Sequence, residues 1–225
     1  MTTLRAAWLI AVKDLRLEFR SRTALLSAFV FAVLVLAIFN FARDATVIGA
    51  LDLAPGVLWV TFCFAGLLGL NRAFGLERDN RTIDGLMMAP VSRTAVFLGK
   101  AISNLALVAI VEAAALPLFA LFFGADLRPV LGPLLVVIAL ATGGFVVLGT
   151  LLSAIAVSTR FAELLLPILS LPLLVPPIIA AVQLTSRLLA QRPMAEISPW
   201  LRLLVAYDIV VVVMALLTFE HTVDE

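Results

Sequence analysis

Residues 97–123 read FLGKAISNLALVAIVEAAALPLFALFF, a run of apolar residues whose only charges are Lys100 near its start and Glu112 at its middle. At ~1.5 Å of rise per residue such a helix is about 40 Å long, more than the ~30 Å of hydrocarbon in a bilayer. A buried core helix of a soluble protein has no use for that length. Further apolar runs of spanning size lie at residues 24–41, 55–74, 130–157, 164–184 and 200–219, making six. The composition agrees, with 63% apolar residues, 14% charged residues and a mean hydropathy of +1.15, which leaves too little polar surface for a water-soluble globule. The expected fold is all-α, a polytopic membrane protein with about six transmembrane helices spread over residues 24–219.

The sixteen lysines and arginines are scattered through short loops, so no basic patch suited to nucleic acid is formed. Their placement instead predicts orientation, because positive charge is retained on the cytoplasmic side. Arg5, Lys13, Arg16, Arg20, Arg22, Arg72, Arg78, Arg81, Arg93, Lys100 and Arg160 fall on one side, and Arg43, Arg128, Arg187, Arg192 and Arg202 on the other. Eleven against five puts both termini in the cytoplasm, including a short tail at 220–225. The first apolar run is long and no small-residue cleavage site follows it, so it reads as a retained span and not a signal peptide. The single cysteine, Cys63, lies inside an apolar run and reads as packing.

Residues 1–23 precede the first span. Leu4, Trp8, Val12, Leu15 and Phe19 recur there at helical spacing, with Lys13, Arg16 and Arg20 towards another face. That pattern predicts an interfacial amphipathic helix whose Trp8 and Phe19 enter the headgroup region while its cations meet anionic lipid. It serves either as an anchor or as an elbow that also contacts a cytoplasmic partner.

One cytoplasmic passage between spans is charged, and residues 74–100 read FGLERDNRTIDGLMMAPVSRTAVFLGK. Glu77 and Arg78 close a span. Thr82, Asp84, Leu86 and Met87 then fit a short amphipathic helix ended by Pro90, with apolar residues that need a protein surface to cover them. The alternative is an ordinary solvated loop.

At these residues the chain resembles the membrane subunits of ABC-type exporters, whose cytoplasmic hairpin carries an acidic residue, a Gly-Thr or similar pair, a Leu-rich turn, a proline and a Gly-Lys before the next span. Glu77, Arg81-Thr82, Leu86 to Pro90 and Gly99-Lys100 correspond, with Arg81 where the pattern has glycine. More closely, the length, the six spans, the passage KDLRLEFRSR (Lys13 to Arg22) and the passage ERDNRTIDGLMMAPVSR (Glu77 to Arg93) are similar to the haem exporter protein B family of cytochrome c maturation. This resemblance implies an ABC-exporter permease architecture with a coupling loop at 76–96, in the cell inner membrane. It implies no catalysis by this chain, since ATP is bound and hydrolysed by a separate cytoplasmic ATPase subunit. Haem is the implied cargo of the assembly, and the implied partners are a second copy of the chain, a haem-handling membrane subunit and a small one-span subunit. The sequence agrees in having no GxxxxGK[ST] phosphate loop, since Gly99-Lys100 is followed by Ala101 and lacks the earlier glycine.

Two acidic residues fall inside spans, where charge is costly: Glu112 and Asp208. For Glu112, structural pairing and a polar transport path are equally open; for Asp208, pairing with the nearby Tyr207 or Arg202 is expected. His221, beyond the last span, is assigned no role. Pro167, Pro172, Pro176 and Pro177 predict a bend in the fifth span, read first as a static kink and otherwise as a broken or flexing helix followed by a re-entrant or interfacial element over 183–199. Gly143, Gly144, Gly149 and Ser153 predict close helix contacts on the fourth. An integral-membrane enzyme is the competing class, but one His, one Cys and no HExxH motif are poor material for it.

Overall fold

The computed structural model describes residues 2–43, 49–79, 92–156 and 162–221. Among them are seven helices and no strand: α1 (Thr3–Ser21), α2 (Thr23–Ala42), α3 (Ala50–Asp79), α4 (Arg93–Phe123), α5 (Leu131–Ala156), α6 (Ala162–Leu189) and α7 (Met194–His221). A 3-10 turn at Arg128–Val130 leads into α5. The six helices α2 to α7 each contain a stretch long and apolar enough to cross a membrane. The chain is an all-α polytopic membrane protein.

Helix ends follow local chemistry. The Ser92 hydroxyl caps α4 by accepting the Ala95 N–H at 3.3 Å, and Gly124, at φ 63°, supplies the left-handed residue that closes it. The joint between α6 and α7 turns through Gln191, also left-handed at φ 50°, before Arg192-Pro193. No separate re-entrant element occupies residues 183–199: α6 runs on to Leu189 and α7 starts at Met194. Arg187 explains the extension, because its Nη1 bonds back to the Gln183 carbonyl at 3.1 Å and to the Gln183 side chain, while its guanidinium lies 5.4 Å from the Trp200 ring. A cation folded over an aromatic residue lets the helix carry its charge out of the apolar zone without ending.

Helix α3 is the centre of the bundle, touching α2, α4, α5 and α6, with two thirds of its spanning window buried against 17% for α7. Helix α2 shows how the outer helices pack. Ala24, Ala28, Ala32 and Leu36 form a buried stripe four residues apart, while Leu26, Val30, Leu34 and Ile38 are exposed. Small residues let backbones approach, and the large ones meet lipid, which is as apolar as they are. The glycines of α5 act the same way towards α3 and α7. A methyl carbon added at Gly149 would lie 2.6 Å from Leu70 Cδ1, and one at Gly144 would overlap the Asp208 carboxylate, whereas Gly143 faces open space.

Helix α6 is continuous through all four prolines. Pro177 has no N–H to give the carbonyl four residues back, that of Leu173. The Tyr207 hydroxyl of α7 donates to that carbonyl oxygen at 3.0 Å, so a donor from a neighbouring helix replaces the missing one. Tyr207→Phe should therefore destabilise the protein by about 1 kcal/mol, in the range of interhelical hydrogen bonds in membranes. In a Pro177→Ala background, where the backbone amide returns, the same change should cost less than half as much. Unfolding of the four proteins of this double-mutant cycle in mixed micelles measures the difference.

Candidate functional site

Two regions carry polar side chains that the apolar bundle does not need for bulk packing. The first is the end of the molecule where α1 meets the start of α4. Helix α1 has three faces. Ala6, Ala7, Ile10, Ala11 and Glu18 are buried against the protein. Leu4, Trp8 and Phe19 are at least half exposed and form an apolar edge with Val12. Arg5, Arg16 and Arg20 are exposed on the third side, with Leu9 among them. The stripe expected from the sequence thus faces outward, and the protein-facing side is a set of small residues the hydropathy pattern did not mark. Alanine gave too little contrast to be seen.

Gly99 is what admits that face. A methyl carbon there would be 2.7 Å from the Ala7 carbonyl oxygen and 2.8 Å from Ile10 Cβ, so α1 lies directly on the backbone of α4. One residue on, Lys100 Nζ reaches the Asp14 carboxylate at 3.3 Å, and Lys13 holds the other oxygen at 2.9 Å. At the far end of α1, Glu18 Oε1 accepts the N–H groups of Ala24 and Leu25 at 2.8 and 3.0 Å. Neither Asp14 nor Glu18 stood out in the sequence, although both follow Ala7 and Ala11 on one face at helical spacing. Of the proposed coupling residues, Glu77 and Arg78 are in the last turns of α3, which continues beyond its spanning stretch ending at Leu70. Thr82, Asp84, Leu86 and Met87 lie outside the described residues.

The second region is inside the bundle. Glu112 is buried, and the Thr142 hydroxyl of α5 donates to its Oε1 at 2.7 Å. Eight residues away on both helices, the Asn104 amide donates to Thr150 Oγ1 at 3.2 Å. These are two rungs about 12 Å apart along the antiparallel pair α4 and α5. Beside Glu112 is a cavity of about 20 Å³, lined also by Trp59, Cys63, Thr142 and Pro177. That is room for roughly one water molecule, far below the ~300–1,000 Å³ of sites for larger ligands. Cys63 is buried there among apolar neighbours.

Asp208 differs from expectation. Its neighbour Tyr207 bonds to Leu173 instead, Arg202 is exposed, and Asp208 Oδ1 is buried against Gly144 without a hydrogen-bond partner. The carbonyl freed by Pro177 has claimed the hydroxyl that the sequence spacing offered to Asp208.

Because Thr142 is the hydrogen-bond partner found for Glu112, Thr142→Val should cost about 1–3 kcal/mol by leaving a buried carboxyl oxygen unpaired. Thr142→Ser should be near neutral, and Glu112→Gln should keep the bond through its amide oxygen. Thermal unfolding in detergent, compared across the three variants, checks the order.

Comparison with known proteins bears on the whole chain. A family model described as CcmB protein matches residues 5–225. The chain is 33% identical over 177 residues to heme exporter protein B of Rhodobacter capsulatus, covering 78% of this chain and 80% of that one. It is 30% identical to heme exporter protein B of Pseudomonas aeruginosa over 76% of each chain, and 29% identical to that of Paracoccus denitrificans over 79% of this chain and 81% of that one. The match takes in α1 and all six spanning helices, and the chain belongs to the CcmB protein family.

Proposed function

We propose that this chain is the membrane subunit of an ABC-type haem exporter acting in cytochrome c maturation. It contributes no catalysis, and it transmits the ATP cycle of a separate ATPase subunit to haem delivery or to release of a haem-loaded chaperone. The family relationship and the relatives' name support the haem-export role. The observation that carries the coupling part is where residues 76–96 sit in the chain. They begin in the last turn of α3, the central helix, and run into the first turn of α4, on which α1 is seated. A push on this passage acts on the helix with the most buried surface and on α1 together.

The passage supplies what an ATPase surface needs: Glu77, Arg78 and Asp84 for charge, Thr82 to start a helix, and Leu86 and Met87 to be buried. Nucleotide-driven closure of two ATPase subunits then shifts the passages of two copies of this chain and rocks the membrane subunits against each other. The basic residues, eleven to five, favour both termini, α1 and residues 76–96 in the cytoplasm, with the chain in the cell inner membrane. Trp8, Phe19, Arg16 and Arg20 of α1 lie at the lipid headgroups in that orientation, with Lys13 turned towards Asp14. A haem-handling membrane subunit and a one-span subunit complete the assembly.

Leu86→Asp places a charge in the surface meant to be buried, and it should weaken ATPase association about 30-fold, the effect of a ~2 kcal/mol hot spot. Val91→Asp, just past the proline, should change it little, and both variants should insert normally. Pull-down and ATPase stimulation in the reconstituted complex measure this, and unchanged binding of the Leu86 variant would move the docking site elsewhere. An accessibility reporter at Asn80 should read cytoplasmic and one at Arg128 periplasmic; the reverse would overturn the coupling reading.

A further inference from the structure

Helix α1 ends on a device that neither membrane anchoring nor ATPase docking calls for. Between α1 and α2 only Arg22 is outside a helix, in the left-handed region at φ 56°. A helix start exposes four N–H groups, and Arg22 as the N-cap residue of α2 offers no side-chain acceptor for them. The acceptor comes from the preceding helix. Glu18 takes the N–H of Ala24 and of Leu25 on one carboxylate oxygen, and its backbone carbonyl takes the N–H of Arg22 at 2.5 Å. Glu18 is 4% exposed. Its desolvation is offset by two charge-assisted bonds and by its place at the positive end of α2. Breaking them leaves a buried carboxylate and two open amides, so the angle between α1 and α2 is fixed.

The other end of α1 is fixed as well. Ala7 and Ile10 abut Gly99, Ala95 is buried against Ala6 and Ala7, and Asp14 pairs with Lys100, all within the first two to three turns of α4. Helix α1 therefore joins the start of α4 to the start of α2 with no loose segment. We infer that α1 is a rigid strut that carries displacement of the start of α4 to α2, and that Glu18 is the positioning residue that makes α1 and α2 one body. The strut is argued from these contacts alone; that it is driven by the ATPase rests on the coupling reading above.

The test uses the full chain in lipid nanodiscs, in a Cys63→Ala background, with spin labels replacing the exposed Arg16 on α1 and Ser27 on α2. With Glu18 intact the interlabel distance should be single and narrow. Glu18→Ala should at least double its width. Glu18→Gln, whose amide oxygen still accepts, should stay narrow, and Glu18→Asp, which keeps the charge but loses reach, should broaden like alanine. If the alanine variant fails to fold, the Asp and Gln pair decides, and equal narrow widths in all variants that fold would overturn the strut. In a second arm, labels at the exposed Ile168 on α6, which packs on α3, α5 and α7, and at Ser27 on α2 follow the complex with the co-purifying ATPase. ATP addition should shift this distance with Glu18 intact, and Glu18→Ala should abolish at least half of the shift while ATPase binding persists. A full shift in Glu18→Ala overturns the strut. No shift with Glu18 intact counts against the ATPase coupling reading, and the first arm still judges the joint.

Discussion

In hydrocarbon there is no water to complete a backbone hydrogen bond, and each amide or carbonyl left open costs several kcal/mol. That constraint explains the helices and also the few places where side chains leave ordinary packing. Where Pro177 opens the α6 ladder, Tyr207 closes it. Where α2 begins without an acceptor of its own, Glu18 reaches across from α1. Thr61 and Ser153 turn their hydroxyls back to the carbonyls of Val57 and Gly149, four residues earlier in each case. Among the described residues, Tyr207 and Glu18 thus complete backbone that the helices leave open, while Thr61 and Ser153 satisfy their own hydroxyls on carbonyls already in the helix ladder.

The same constraint sorts the buried side-chain pairs. Glu112 and Asn104 of α4 find Thr142 and Thr150 of α5, and the Trp59 indole finds Thr185 of α6 at 2.8 Å. Threonine is the partner each time. It presents one hydroxyl on a short side chain, so a polar contact can be made without holding the helices apart. The cavity beside Glu112 has space for about one water, which makes this carboxyl part of a tight helix contact. A route for anything larger requires the helices to part.

How much of this was legible follows from what a one-dimensional pattern can carry. Six spans were legible because length and hydropathy alone define them, and their limits agree within about six residues, with the largest shifts at the joint where α6 runs on to Leu189 and α7 starts at Met194. The outward edge of α1 was legible in Leu4, Trp8 and Phe19. Its inner face was not, because Ala7 and Ala11 differ little in hydropathy from their surroundings and signify only once Gly99 is known to lie opposite. Glu112 and Asp208 were found as charges out of place, but their neighbours come from other helices, and sequence proximity pointed Asp208 to Tyr207 wrongly. The passage holding Thr82, Asp84, Leu86 and Met87 was read from motif resemblance, and those residues lie outside the described structure.

If tight polar rungs hold α4 to α5, movement has to be found elsewhere. Helices α5, α6 and α7 pack on one another, α1 is bound to α4, and α2 lies on α3 and α4. The outer faces of α2 and α7 are covered by exposed leucine, isoleucine and valine, and shifting them exchanges one apolar neighbour for another at little cost. Displacing α1 from α4 would instead expose the Asp14 and Lys100 pair and open a gap over Gly99. The low-cost motion is therefore of α2 and α7 against lipid or another subunit, and the costly one is of α1 against α4. The proposed drive from residues 76–96 needs this difference: the contact next to that segment must not yield, so that the displacement appears at the helices whose surroundings resist it least.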